Sequence, residues 1–163
     1  MRTLMLMRHG KSDWDVGVPN DHARPLAPRG VLSAERMGEV LRQMDLVPDL
    51  VISSTATRAR STAELARITG GWDTRLVLED SLYGASVSET LSVAARLGSG
   101  HERVMLVGHQ PTWSMTVHHL TGARVAMRTA TVADIELPIS EWSQIGDAHG
   151  TLVALLQPRH FVT

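Results

Sequence analysis

Leu4-Met5-Leu6-Met7-Arg8-His9-Gly10-Lys11-Ser12 decides how the rest of the chain is read. Its apolar run is too short for a long helix and breaks off at a glycine within a polar cluster, which predicts a buried strand ending in a loop. In an open α/β sheet, ligands bind in the crevice beyond the carboxyl ends of the strands. His9 follows such an end, between an arginine able to neutralise an anion and a glycine able to let the backbone come close.

Taken alone, this motif does not separate a ligand-binding His9 from an ordinary strand-end histidine bonded to a neighbour. It does exclude some chemistry. Gly10-Lys11-Ser12 has the form of the end of a phosphate-cradling P-loop, but the glycine needed five residues earlier is Met5. Asp13-Trp14-Asp15 offers paired carboxylates, yet Arg8 to Ser12 separate it from the strand and their positive charge competes with a metal. Gly98-Ser99-Gly100 precedes a strand and lacks the third glycine of a dinucleotide fingerprint. His101-Glu102 has Met105 where a zinc-protease helix needs its second histidine, and His118-His119, adjacent on one helix, point in different directions. No metal and no cofactor is expected.

A length of 163 residues predicts one domain, 1–163, around one sizeable core. The net charge of −1 advertises no face for nucleic acid or an acidic membrane. The complete lack of cysteine removes disulfides, thiolate metal sites and cysteine-nucleophile phosphatases, and suits a cytoplasmic location. The N-terminal apolar run is far short of a membrane span or secretory leader, with Arg8 and Lys11 close behind it.

Along the chain, a polar connection carrying Asp21-His22-Ala23-Arg24-Pro25-Leu26 leads to Pro28-Arg29-Gly30, which opens a helical pattern stopped by Pro48. Asp49 to Ser54 reads as a second strand, Ala56 to Thr69 as a helix stopped by Gly70-Gly71, and Arg75 to Asp80 as a third strand. Arg58, in the first turn of its helix, opposes the helix dipole at a cost of some tenths of a kcal/mol, which a bound anion would offset. Ser86-Val87-Ser88-Glu89 is a capping box for a helix running to Gly98. Arg103 to His109 repeats the N-terminal plan of apolar strand, glycine and histidine, and Pro111 suits the first turn of a helix reaching Leu120. Thr129 to Leu137 and Thr151 to Leu156 complete the strands, the last apolar enough to be expected in the centre or well covered. Strands alternating with helices predict a three-layer α/β fold: a mostly parallel central sheet with helices on both faces.

Three strand ends then present one chemistry: Arg8-His9, Arg58 and His109. Two arginines and two histidines make a pocket for a tetrahedral dianion, because guanidinium groups bind phosphate oxygens bidentately and keep their charge. A neutral imidazole can attack phosphorus and form a phosphohistidine that water hydrolyses.

With these residues in place, the chain resembles the histidine phosphatase (phosphoglycerate mutase-like) superfamily. Arg8-His9-Gly10, the run Ser53-Ser54-Thr55-Ala56-Thr57-Arg58-Ala59-Arg60-Ser61-Thr62-Ala63 and Val107-Gly108-His109 match its three signatures in order. Thr55 stands where the family commonly has proline. Lys11-Ser12-Asp13-Trp14, Asp21-x-x-Arg24-Pro25-Leu26 and Thr129-Ala130-Thr131 look more narrowly like its SixA branch of small phosphohistidine phosphatases. The resemblance implies a hydrolase in which His9 is the nucleophile and Arg8, Arg58 and His109 bind the phosphoryl group. Arg24, Gly10 and Lys11 would add substrate contacts, while Arg60 falls on another helix face. Many relatives use an acid near the third strand; Asp80 holds that place, Glu79 is the alternative, and SixA-type members need none.

The implied substrate is protein phosphohistidine, such as that of a histidine-containing phosphotransfer domain, with inorganic phosphate as product and the chain acting as a monomer. The alternatives are a small phosphoester and a non-catalytic phosphate-binding regulatory module. A mutase is disfavoured because no long insertion encloses the pocket.

Overall fold

The computed structural model describes residues 1–161. Its sheet has six strands: β1 (Arg2–Arg8), β2 (Leu50–Ser54), β3 (Arg75–Glu79), β4 (Arg103–Gly108), β5 (Val132–Leu137) and β6 (Thr151–Leu156). They lie in the order β3-β2-β4-β1-β5-β6. Four helices connect them: α1 (Pro28–Gln43), α2 (Thr57–Thr69), α3 (Val87–Leu97) and α4 (Thr112–Thr121). None of the helices is long and apolar enough to cross a membrane.

Successive side chains of a strand point to opposite faces, so each central strand supplies two cores. Leu4 and Leu6 of β1 join Leu50, Ile52, Val104 and Leu106 beneath α3 and α4. Met5 and Met7 join Val51, Met105 and Val107 beneath α1 and α2. Burial on both faces is why these strands read as unbroken apolar runs.

The sheet pairs β3, β2, β4 and β1 in parallel, whereas β5 pairs antiparallel with β1 on one side and β6 on the other. β6, expected in the centre or well covered, is the edge strand, and its Val153 is 51% exposed. Apolar composition alone does not distinguish an edge strand with one covered face from a central one. β5 begins at Val132 and not at Thr129, because Ala130 takes a positive φ of 58° that interrupts an extended chain.

Parallel pairing puts the carboxyl ends of β1, β4 and β2 at one edge of the sheet. Arg8 lies opposite Gly108 in the register, and Ser53 opposite Val107. The residues that follow these strands therefore meet.

Candidate active site

His9 donates its backbone N–H to the Gly108 carbonyl at 3.0 Å, which brings its ring beside His109 with centroids 5.3 Å apart. Gly108 leaves room for the Trp113 ring, which a Cβ would approach to 2.6 Å, and the Trp113 indole N–H is bonded to the Met7 carbonyl at 3.0 Å. A pocket of about 490 Å³ opens here. Arg8, His9, Lys11, Arg24, Arg58 and His109 all line it, together with Ser12, Trp14, Tyr83, Gly84, Gln110 and Thr129.

The His9 ring has a defined tautomer. Its Nδ1 lies 2.7 Å from the Gly10 carbonyl oxygen, which can only accept, so Nδ1 carries the proton and Nε2 keeps its lone pair. Burial pushes the His9 pKa down to about 3, against the opposing pull of that carbonyl, with His109, Arg58 and Arg8 adding to the depression. Burial and Arg58 likewise push His109 down to about 4, with Asp21 opposing. Both rings are neutral at pH 7. His109 Nε2 is 2.9 Å from the Ser54 hydroxyl, which also accepts the Ala56 N–H.

Asp21 is the site residue whose role the sequence did not disclose. Its carboxylate takes Arg58 Nη2 at 3.0 Å and Arg24 Nη2 at 2.9 Å, and its own carbonyl takes Arg58 Nη1 at 2.8 Å. The Tyr83 hydroxyl donates to it at 2.7 Å and, ahead of the two arginines, holds its pKa below the usual carboxylate range. The same bond raises the Tyr83 pKa. Asp21 sits in a single 3₁₀ turn, Asp21–Ala23, capped by Asn20. The available signal was the Asp21-x-x-Arg24 spacing, since a buried arginine needs a carboxylate partner.

The dipole cost at Arg58 is thus offset within the chain by Asp21. Arg8 has no carboxylate partner among the described residues and bonds the Met127 carbonyl at 3.1 Å. Three guanidinium groups and the Lys11 ammonium against the one carboxylate of Asp21 leave three positive charges around a neutral histidine. The Nε atoms of Arg8, Arg24 and Arg58 are buried without partners. Arg24 also bonds Ser12 and lies 3.5 Å over the ring of the exposed Trp14.

Residues 4–87 match the family profile of the histidine phosphatase superfamily, branch 1. The chain belongs to that superfamily. An uncharacterised protein of Mycobacterium tuberculosis is 35% identical over 164 residues, covering 94% of this chain and all of that one. Among solved structures, SixA of Nakamurella multipartitia is 31% identical over 96% of each chain, with a TM-score of 0.83. SixA of Agrobacterium tumefaciens is 26% identical over 96% of this chain and 98% of its own, with a TM-score of 0.82. This chain is a histidine phosphatase of SixA type.

In this phosphatase two expected site residues stand elsewhere. Gly10 does not line the pocket; its Cα faces the start of α1, where an added Cβ would meet the Gly30 carbonyl oxygen at 2.7 Å. The close approach that requires a glycine is to that backbone and not to a ligand. The Gly10 N–H bonds the Thr62 hydroxyl at 2.9 Å, tying the loop to α2.

Asp80 is also outside the lining. It is exposed, in the 3₁₀ turn Asp80–Leu82 after β3, and accepts the Thr55 hydroxyl at 2.5 Å. Thr55 in turn accepts from His22 Nε2 at 2.9 Å, so the threonine in the family's proline position joins the Arg24 loop to the end of β3. Glu79 is turned away to Ser81 and Arg96. Arg60 pairs with Glu64 on the exposed face of α2, as its spacing implied. No group of three or more metal-ligating side chains occurs among the described residues.

Proposed function

We propose that this histidine phosphatase acts on protein phosphohistidine through a covalent intermediate on His9, without a metal. The observation that carries this reading is the charge balance of the pocket, with three uncompensated positive charges, counting Lys11, around a neutral imidazole whose Nε2 lone pair is free. A phosphoryl dianion supplies the missing negative charge and a phosphorus atom for that lone pair to attack. The SixA relatives of Nakamurella and Agrobacterium are named for phosphohistidine.

In the first step His9 Nε2 attacks phosphorus as the bond to the leaving nitrogen breaks. Arg8, Arg58 and Arg24 hold the equatorial oxygens, and His109 donates a hydrogen bond. Water then attacks phosphorus from the side opposite Nε2. The bond to His9 breaks, inorganic phosphate leaves and the neutral ring is restored.

The leaving group favours phosphohistidine over an alkyl ester. Among the described residues no carboxylic acid lines the pocket, and the Tyr83 phenol is held by Asp21 with a raised pKa. An alkoxide needs a proton from an acid. Imidazole, whose conjugate acid has a pKa of about 6.5, can leave as a neutral ring once its other nitrogen is protonated.

The test is rapid quenching of turnover on a labelled phosphohistidine protein, with a chelator present. Acid-labile, base-stable label should appear on the wild-type chain, and both label and turnover should vanish in His9→Ala. Turnover surviving in that variant, or a requirement for metal, would overturn the mechanism. Higher kcat/KM on an alkyl phosphate than on any phosphohistidine protein would assign the substrate to the small phosphoesters.

A further inference from the structure

A second groove meets the candidate active site at Thr129, which lines both. Its volume is about 810 Å³, larger than the pocket beside it. Arg29 and Arg36 of α1, Arg128 before β5 and Arg159 of the C-terminal 3₁₀ turn line it, and among the described residues no carboxylate does. Of the four, Arg36 alone is in an ion pair among the described residues, with Glu39 at 3.1 Å. Four guanidinium groups in one groove of a chain with net charge −1 repel one another, so the cluster opposes the fold unless an anion joins it.

A different atom in the same groove asks for a donor. Gln157 is 8% exposed, and its Nε2 faces the Ala126 carbonyl, an oxygen that can only accept, at 3.5 Å. Its Oε1 is buried without a partner among the described residues. A buried acceptor of this kind is normally satisfied.

The two needs together narrow the ligand. The arginines take carboxylate or phosphate oxygens, whereas Gln157 Oε1 takes an N–H or O–H. A fully ionised phosphate offers acceptors only. A polypeptide bearing aspartate or glutamate offers carboxylates for the arginines and backbone N–H groups for Gln157, with Leu32 and Phe161 as apolar contacts. We infer that the groove binds an acidic segment of the phosphorylated substrate protein, alongside the phosphohistidine held in the neighbouring pocket. This assignment rests on protein phosphohistidine being the substrate.

Arg29 and Arg159 are exposed and stand outside the candidate active site, so Arg29→Glu/Arg159→Glu reverses the groove's charge without touching the chemistry. Binding of a fluorescein-labelled peptide of alternating glutamate and alanine, read by anisotropy, should weaken about tenfold or more in the double variant and fall with added salt. On a phosphohistidine protein the variant should raise KM by a similar factor and leave kcat alone. Hydrolysis of p-nitrophenyl phosphate should not change. Equal peptide binding by the two proteins, or binding of a single-stranded RNA in place of the peptide, would overturn the groove's role while leaving phosphohistidine turnover intact. A wild-type chain that binds the peptide but hydrolyses no phosphohistidine protein would instead overturn the substrate reading, and with it the groove's assignment to that substrate.

Discussion

Asp21 grips Arg58 twice, with its backbone carbonyl on Nη1 at 2.8 Å and its carboxylate on Nη2 at 3.0 Å. The two residues are separated by 37 positions, and the contact joins the first connecting loop to the helix after β2. Arg58 is aimed by this grip before any substrate arrives.

Asp21→Ala should therefore lower kcat/KM on the order of 100-fold, the scale for a misplaced positioning group. It should cost only about 1 kcal/mol of stability, since the carboxylate is 46% exposed and screened by solvent. Inorganic phosphate should raise the melting temperature more in the variant than in wild type, because the anion replaces the lost carboxylate. An equal rise in both proteins would show that Asp21 does not aim Arg58.

Arg58 itself tests the shape of the contact. Arg58→Ala should lose about 3 kcal/mol of transition-state stabilisation. Arg58→Lys should recover only part of it, because a point charge replaces a planar fork. Steady-state kinetics with vanadate as a competitive inhibitor will read both effects, and wild-type rates for the lysine variant would show that one charge suffices.

Asp80 is bonded to Thr55 and does not line the pocket. Asp80→Asn should change kcat/KM on a phosphohistidine protein by less than about twofold, well short of the ~10²–10⁴-fold scale of general-acid catalysis. A strong loss confined to an alkyl phosphate would make Asp80 the acid for esters. Comparing the two substrates on one variant separates these outcomes.

The histidines make stability depend on pH. Their folded pKa values, about 3 for His9 and about 4 for His109, lie below the unfolded value of about 6.5. Between those limits the unfolded chain binds more protons, so this contribution is full above pH 6.5 and is lost as pH falls toward 4 and then 3. At pH 5 His9 alone should cost about 2 kcal/mol relative to pH 7.5. Urea midpoints at the two pH values check this, and added sulfate should shrink the loss by giving the protonated rings a partner.

Gly10→Ala places a Cβ 2.7 Å from the Gly30 carbonyl oxygen, a backbone atom that cannot swing aside. The overpacking should cost about 1–3 kcal/mol in a urea titration. A neutral result would mean that α1 shifts freely against the loop.

The central strands were legible because both their faces are buried and their residues are apolar without interruption, as in Leu4 to Met7. β6 misled because Leu152, Ala154 and Leu155, all only partly buried, spell the same composition on an edge. His9, Arg58 and His109 were legible because each follows a strand whose partners put it at one edge. Asp21 was not, since pairing across 37 positions leaves no local mark. For Gly10 the sequence shows that a backbone must pass close by, and the structure shows the Gly30 carbonyl doing so.

On the proposed mechanism, the bond from His9 Nδ1 to the Gly10 carbonyl would decide which isomer of phosphohistidine the protein carries. With Nδ1 protonated and engaged, the phosphoryl group is confined to the far nitrogen and gives the τ isomer, not π. Attack by Nε2 and then by water each invert the configuration at phosphorus. A substrate made chiral there should therefore deliver its phosphoryl group with overall retention, a stereochemical record of two displacements at one phosphorus.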